Sequence, residues 1–330
     1  MFKLLRGLCV CLVCFLIWLG YSIFYKNIPQ VSKENILVVT PGETFRQISK
    51  NIAIQTSTNQ KLIYYCAILF NLDHQIQAGV YNLQANLTLW QLLKKLETGE
   101  IATYKFTIVE GWGFKQTQAA LDKNNIRHTI PNISSASLAK LLKIKHSNIE
   151  GWLYPETYYY NDNSTDFEIY KQAFDKMQKI LNKAWSNRQK GLYYQNPYQA
   201  LIVASLIERE TRYIEEYNKI AAVILNRLAK NMRLQIDAAV LYGLEKTSGP
   251  LTKNDLLKNT PYNLYKHKGL PPTPISMPAE PAIIAALHPE SSKNLYYVLS
   301  ADARHIFSTN YQDHLIAVKK LRQHQATEGK

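Results

Sequence analysis

The chain has 330 residues, 46% hydrophobic and 19% charged, enough apolar material for about two ordinary domains and too much for a disordered polymer. Lys and Arg number 39 against 25 Asp and Glu, and the net charge of +14 points to anionic partners: nucleic acid, lipid headgroups or an acidic polymer. Of the four cysteines, Cys9, Cys11 and Cys14 fall in one apolar run and leave Cys66 alone, which excludes a disulfide framework and a cysteine zinc site.

Gly7 to Phe24 is a run of eighteen residues without a charge, preceded by Lys3 and Arg6 and followed by Lys26. At ~1.5 Å per residue it reaches roughly 27 Å, just sufficient to cross a bilayer. A cleaved signal peptide is the competing reading, but its apolar middle is typically ~7 to 15 residues, and no small-x-small site follows here. Val13 before Cys14 also argues against a lipoprotein site. Residues 1–25 therefore read as a retained single-pass anchor. Lys3, Arg6 and the terminal amine slightly outweigh Lys26 and Lys33, which favours a cytoplasmic N-terminus. The remainder then lies outside the cytoplasm, on the periplasmic or extracytoplasmic side of the inner membrane. There the available anionic material is the cell envelope, not nucleic acid.

Beyond the anchor, Ile36–Val39 reads as a strand, Pro41-Gly42 as a turn and Phe45–Ile54 as an amphipathic helix. A helix over 60–71, a short strand over 79–83 and a helix from Thr88 to Thr98, stopped by Gly99, complete a small α+β module. Tyr104–Val109 is a strand leading into Glu110-Gly111-Trp112. The later chain is richer in helix: 134–142, 166–190, 197–210, 218–230 and 278–288, with a strand over 296–300 and a rigid extended loop at Pro271-Pro272-Thr273-Pro274. Glu-Gly-Trp recurs at 110 and 150 without repeated flanks. The last ten residues read as a polar tail.

Ala200 to Ile207 carries no charge, the pattern of a helix buried nearly all round. Glu208 closes that run. Glu210, about 200° further round, sits between Arg209 and Thr211 with Arg212 close by, so the two carboxyls face different places. The expectation is that Glu208 is desolvated, with a raised pKa suited to a general acid, while Glu210 stays ionised among arginines. The bland alternative for Glu208 is a capped or ion-paired glutamate at a helix end. Downstream, Asn226 and Arg227 end the next helix, and the alternating polar groups of 232–237, among them Arg233, Gln235 and Asp237, are expected to line a cleft beside Glu208; Asn263 and Tyr265 on a stiffened loop add an amide and a phenol that suit a hydroxyl-rich ligand such as a sugar. A zinc site on His288, His305 and His314 has no metalloprotease-like helix to support it, and Ser205 lacks a nucleophile turn.

The runs EGWLYPETYYY (150–160), ASLIERET (204–211), NMRLQIDAAVLYGL (231–244), PYNLYKHKGLPPTPIS (261–276) and AALHP (285–289) closely resemble the endolytic murein transglycosylases of the MltG/YceG-like family. The likeness extends over residues 36–320. The resemblance implies an α+β fold: a single transmembrane helix, a LysM-like subdomain at 36–103, a catalytic domain with a helical core at 104–320, and a tail at 321–330. It implies a lytic transglycosylase that cleaves within nascent peptidoglycan strands and needs neither cofactor nor metal. Glycan strands are the implied substrate, with cell-wall synthases as possible partners. By position it makes Glu208 the catalytic acid and base, and beside it Gln235, Asp237, Asn263, Tyr265, Asn226, Arg233 and Glu156 are assigned here as substrate-binding residues. Asn231 replaces the usual Gly, and Ile236-Asp237-Ala238 the usual Thr-Asp-Pro. The rival from another class is a non-catalytic, membrane-anchored glycan-binding scaffold.

Overall fold

The computed structural model describes residues 2–29, 36–83, 86–100, 103–246 and 249–328. Lys33, which enters the charge comparison across the anchor, lies outside them. The chain divides into two compact units. The first comprises Met1–Lys105 with the short segments Asn125–Arg127 and Tyr159–Ser164, and the second the remainder.

In the first unit, α1 (Phe2–Phe24) holds the uncharged run, and Arg6–Phe24 is long and apolar enough to cross a membrane. β1 (Ile36–Val39) alternates exposed and buried residues and pairs antiparallel with β2 (Gly79–Asn82), Leu37 opposite Tyr81. Between them run α2 (Phe45–Thr56) and α3 (Gln60–Leu69), and α4 (Leu89–Thr98) follows. Thr88 caps α4 by accepting the Gln91 N–H, and Gly99 ends it in the left-handed conformation that glycine adopts without strain. Leu37, Ile52, Ile63, Tyr81, Leu92 and Leu96 fill the core. Ile23, near the end of α1, is buried in that core.

Then come β3 (Tyr104–Thr107), α5 (Phe114–Leu121), α6 (Ser135–Leu141) and β4 (Thr157–Tyr160), which pairs with β3. The long α7 (Asp166–Ser186) opens on a Thr165/Glu168 capping box. α8 (Pro197–Glu210) starts with Pro in its first turn and Asn196 as its cap, matching the expected span. α9 (Ile214–Ala229), α10 (Asp237–Gly243), α11 (Lys253–Leu257) and α12 (Glu280–Leu287) follow. An antiparallel hairpin, β5 (Tyr296–Leu299) and β6 (His305–Ser308), leads to α13 (Tyr311–Glu328). The supposed polar tail is therefore the end of a helix as far as Glu328.

The core of the second unit is α8, with α9 and α12 packed against it and Ala200–Ile207 buried on every side. The stiff segment after Pro274 lies along α8: the Ile275 N–H donates to Ser205 Oγ at 3.0 Å, and Ser276 Oγ donates to the Ser205 carbonyl at 3.1 Å. On its other side, Met277 exchanges backbone bonds with Gly111 and Trp112. Gly151 belongs to the same packing. Its φ is +79°, and a Cβ there would stand 2.5 Å from Pro274 Cβ, so only glycine fits.

Candidate active site

Glu208 and Glu210 both stand in the last turn of α8, and the protein surrounds them differently. Glu208 Oε2 accepts the Ala279 N–H at 2.9 Å, at the start of α12, and Oε1 accepts the Tyr217 hydroxyl at 3.2 Å. Burial raises its pKa; the Ala279 N–H opposes that rise, nearby Glu110 adds to it, and the Tyr217 hydroxyl opposes it. The Gly111 loop covers it so closely that a Cβ there would meet Glu208 Cγ at 3.9 Å. These are the contacts of a carboxylate that caps one helix from the end of another.

Glu210 is not set among its neighbouring arginines, as the sequence suggested. Burial pushes its carboxyl up to about 7, opposed by a hydrogen bond from Tyr297, reinforced by the Asp237 carboxylate and opposed by Arg227. The adjacent arginines point elsewhere: Arg209 Nη1 donates to the Gly111 carbonyl at 3.2 Å, and Arg212 lies over the Tyr213 ring. Arg227, the cation that does act on Glu210, is itself buried and held in place by the carbonyls it bonds. Its Nε donates to Leu295 O at 2.6 Å, and its Nη1 donates to Leu234 O at 2.7 Å and to Gln235 Oε1 at 3.2 Å.

This arrangement gathers three of the expected sugar contacts on the Glu210 side. Asp237 opens α10, and its Oδ1 accepts the Tyr265 hydroxyl at 2.5 Å. Gln235 holds a left-handed backbone at φ 55°, pinned by its N–H to the Leu264 carbonyl. Gln235 and Asp237 are exposed, whereas Tyr265 is half-buried. Tyr297 reaches Glu210 because the hairpin is braced: the Glu216 carboxylate, on α9, accepts the His305 N–H and the Thr211 hydroxyl and pairs with the His305 ring.

The other expected contacts lie elsewhere. Asn263 is wholly buried, its amide donating to the Leu256 and Lys258 carbonyls while its oxygen accepts the Tyr265 N–H, so it staples the loop and has no face left for a sugar. Asn226 likewise braces the segment before β5, through the Ser292 and Asn294 carbonyls. Glu156 pairs with Lys176 of α7, and Arg233 is exposed, its carbonyl accepting from Arg227. His305 is taken up by Glu216 and His314 stacks on Tyr296; among the described residues no three His, Cys, Asp or Glu side chains gather as metal ligands.

The second unit also holds a cavity of about 600 Å³, bounded by Gly111, Gly113, Glu150, Arg209, Ala238 and Tyr242. Ala238 follows Asp237 directly. Glu150 is 4% exposed; its carboxylate accepts the Phe114 N–H at 3.0 Å, at the start of α5, and the Tyr242 hydroxyl at 3.1 Å. Burial nevertheless pushes it up to about 7.

The sequence matches the YceG-like family over residues 37–320, which includes every residue of this cluster. The chain belongs to the YceG-like family. It is 31% identical over 263 residues to an endolytic murein transglycosylase of Bacillus subtilis (strain 168), an alignment covering 74% of this chain and 72% of that protein. An endolytic murein transglycosylase of Streptococcus pneumoniae serotype 2 (strain D39 / NCTC 7466) is 27% identical over 320 residues, covering 86% of this chain and 58% of the relative. A 2.6 Å crystal structure of a yceG-like protein from Listeria monocytogenes superposes with a TM-score of 0.54 at 27% identity, covering 85% of this chain and 97% of that one.

Tyr297 and Glu150 escaped sequence reasoning, and Arg227, one of the downstream candidates, was not paired there with Glu210. Tyr297 sits in a strand-like run, where an aromatic reads as packing. Arg227 ends an amphipathic helix like any exposed cation. Glu150 had a visible signal, the second Glu-Gly-Trp, but nothing in the sequence tells that it is buried.

Proposed function

We propose that this chain is an endolytic murein transglycosylase that cuts the β-1,4 bond between N-acetylmuramic acid and N-acetylglucosamine inside glycan strands, with Glu210 as its acid and base. The observation that carries this reading is a carboxyl held at about 7, next to exposed Asp237 and, through Arg227, to exposed Gln235. A general acid works best when its pKa lies near the working pH. Protonated Glu210 donates to the glycosidic oxygen as the anomeric C–O bond breaks. The resulting carboxylate then takes the proton of the muramoyl 6-hydroxyl as that oxygen bonds to the anomeric carbon. The product is a 1,6-anhydro end, and because the nucleophile is already part of the substrate, attack is intramolecular. Tyr297 and Arg227 stabilise the intervening carboxylate, and Gln235, Asp237 and Tyr265 orient the sugar. Glu208, the position indicated by the family resemblance, acts in this reading by holding the start of α12.

Asp237 favours a second reading. A second carboxylate beside the acid can activate water, which would leave a reducing end. Mass spectrometry of the ends released from purified peptidoglycan by the full chain separates the two: muramoyl ends one water lighter than the reducing sugar support the transglycosylase, and reducing ends support hydrolysis. Intact strands that merely bind the protein would favour a scaffold. The same proposal includes α1 as a single-pass anchor with the catalytic unit outside the cytoplasm, and the β1–α2–α3–β2 order of the first unit is consistent with a LysM-like module.

A further inference from the structure

α3 is apolar on two faces. Ile63, Cys66 and Ala67 enter the core of the first unit, but Lys61, Tyr65, Ile68 and Leu69 share the other side of the helix, and Tyr65 and Leu69 are 65% and 72% exposed. A helix apolar all round is normally covered all round. What covers this one is indicated by its neighbours. Phe70, at the C-terminal end of α3, packs its ring against Phe24 at 5.8 Å and Trp90 at 4.9 Å. Phe24 is the last residue of the apolar helix α1, and Tyr25, 75% exposed, follows it.

The junction between α1 and the module has several backbone and core contacts. Ile23 and Ile28 are buried in the module core, the Ile28 N–H donates to the Leu87 carbonyl at 2.9 Å, and Asn27 bridges to Thr88. The module is therefore clamped to the end of α1. Aromatic side chains at the end of a spanning helix, with lysines alongside, have the composition of the layer where lipid headgroups meet acyl chains. Lys26 and Lys61 are exposed beside this patch, and Lys94 lies over the Trp90 ring at 5.4 Å.

We propose that the Tyr65–Ile68–Leu69 face of α3, together with Phe70, Phe24, Tyr25 and Trp90, is immersed in the headgroup layer of the bilayer that α1 crosses, so that the first unit lies docked on the lipid surface. This rests on the reading of α1 as an anchor. The consequence is that this side of the module is unavailable to glycan, and any glycan contact must use another.

The test uses the full chain in phosphatidylethanolamine–phosphatidylglycerol vesicles carrying lipids brominated either near the headgroup or deep in the acyl chain. The emission that Trp90→Phe removes is the Trp90 signal. It should lose most of its intensity to the shallow quencher and little to the deep one. Tyr65→Glu, Ile68→Glu and Leu69→Glu combined, all at exposed positions, should restore that emission several-fold while the chain still floats with the vesicles. A floating chain whose Trp90 is unquenched overturns the proposal, and if that chain is also dimeric the face belongs to a second copy. A chain that does not float with the vesicles overturns the anchor and the proposal together.

Discussion

Glu208 and Glu210 stand two residues apart at the end of one helix, and burial lifts both, yet their partners differ in kind. The Glu208 oxygens are engaged by a main-chain N–H and a single phenol, and its protonation would weaken the bond that starts α12. Glu210 is bordered by Tyr297, Arg227 and Asp237, side chains that can absorb a change of charge without releasing backbone. Burial alone therefore does not identify a proton carrier. The partners separate the two: the Glu208 carboxylate holds a main-chain N–H that starts a helix, whereas Glu210 has only side-chain partners, beside exposed polar groups.

The contrast is most exposed to failure at Glu210. Glu210→Gln should lower the turnover of glycan strands by about 10²–10⁴-fold with a melting profile no worse than the parent's, as expected when an acid and base is removed. A fall of less than tenfold, measured by chromatography of released fragments, would end its assignment.

Glu150 makes a pH-dependent comparison. Its pKa rises from 4.5 to about 7 on folding, so the folded state binds the proton more tightly. Stability from this group is complete below the unfolded pKa and is lost as pH rises to about 7. Glu150→Gln should remove that slope, roughly 3 kcal/mol for a shift of this size at ~1.4 kcal/mol per unit. Denaturation of both proteins at mildly acidic and mildly alkaline pH checks it; parallel slopes would mean that Glu150 is not so perturbed.

Glu208→Gln should cost about 1–3 kcal/mol of stability by disturbing the Ala279 bond, while turnover stays within tenfold of the parent. Thermal unfolding beside a rate assay reads both, and an unchanged melting temperature with lost activity would reverse the roles of the two glutamates. The smallest effect is expected at Tyr297→Phe. Loss of its hydroxyl removes a bond that lowers the Glu210 pKa, so the alkaline limb of the pH–rate curve should move up by at most about one unit. A downward shift would contradict the geometry.

Legibility in the sequence followed the range of the interactions. α8 was readable to the residue because Pro197, an eight-residue apolar run and the charged end are all local. α5 and α10 were missed: α5 starts at a glycine that cannot signal a side-chain cap, and α10 has only seven residues. Gln235, Asp237 and Tyr265 were recognisable as polar groups on a rigid frame. Which glutamate they stand beside was not, because Tyr297 reaches Glu210 from a hairpin far along the chain and Arg227 from the opposite end of the next helix. Asn263 illustrates the reverse error: an amide in a loop looks available until the carbonyls of Leu256 and Lys258 are seen to occupy it.

The most direct test of Glu210 as the proton carrier is the pH–rate profile of glycan cleavage for the parent chain and Glu208→Gln, measured side by side with the product ends identified. The account predicts that both fall as pH rises through neutrality, because burial pushes the Glu210 carboxyl up to about 7. A limb present in the parent but absent from Glu208→Gln would contradict it and give the chemistry to Glu208.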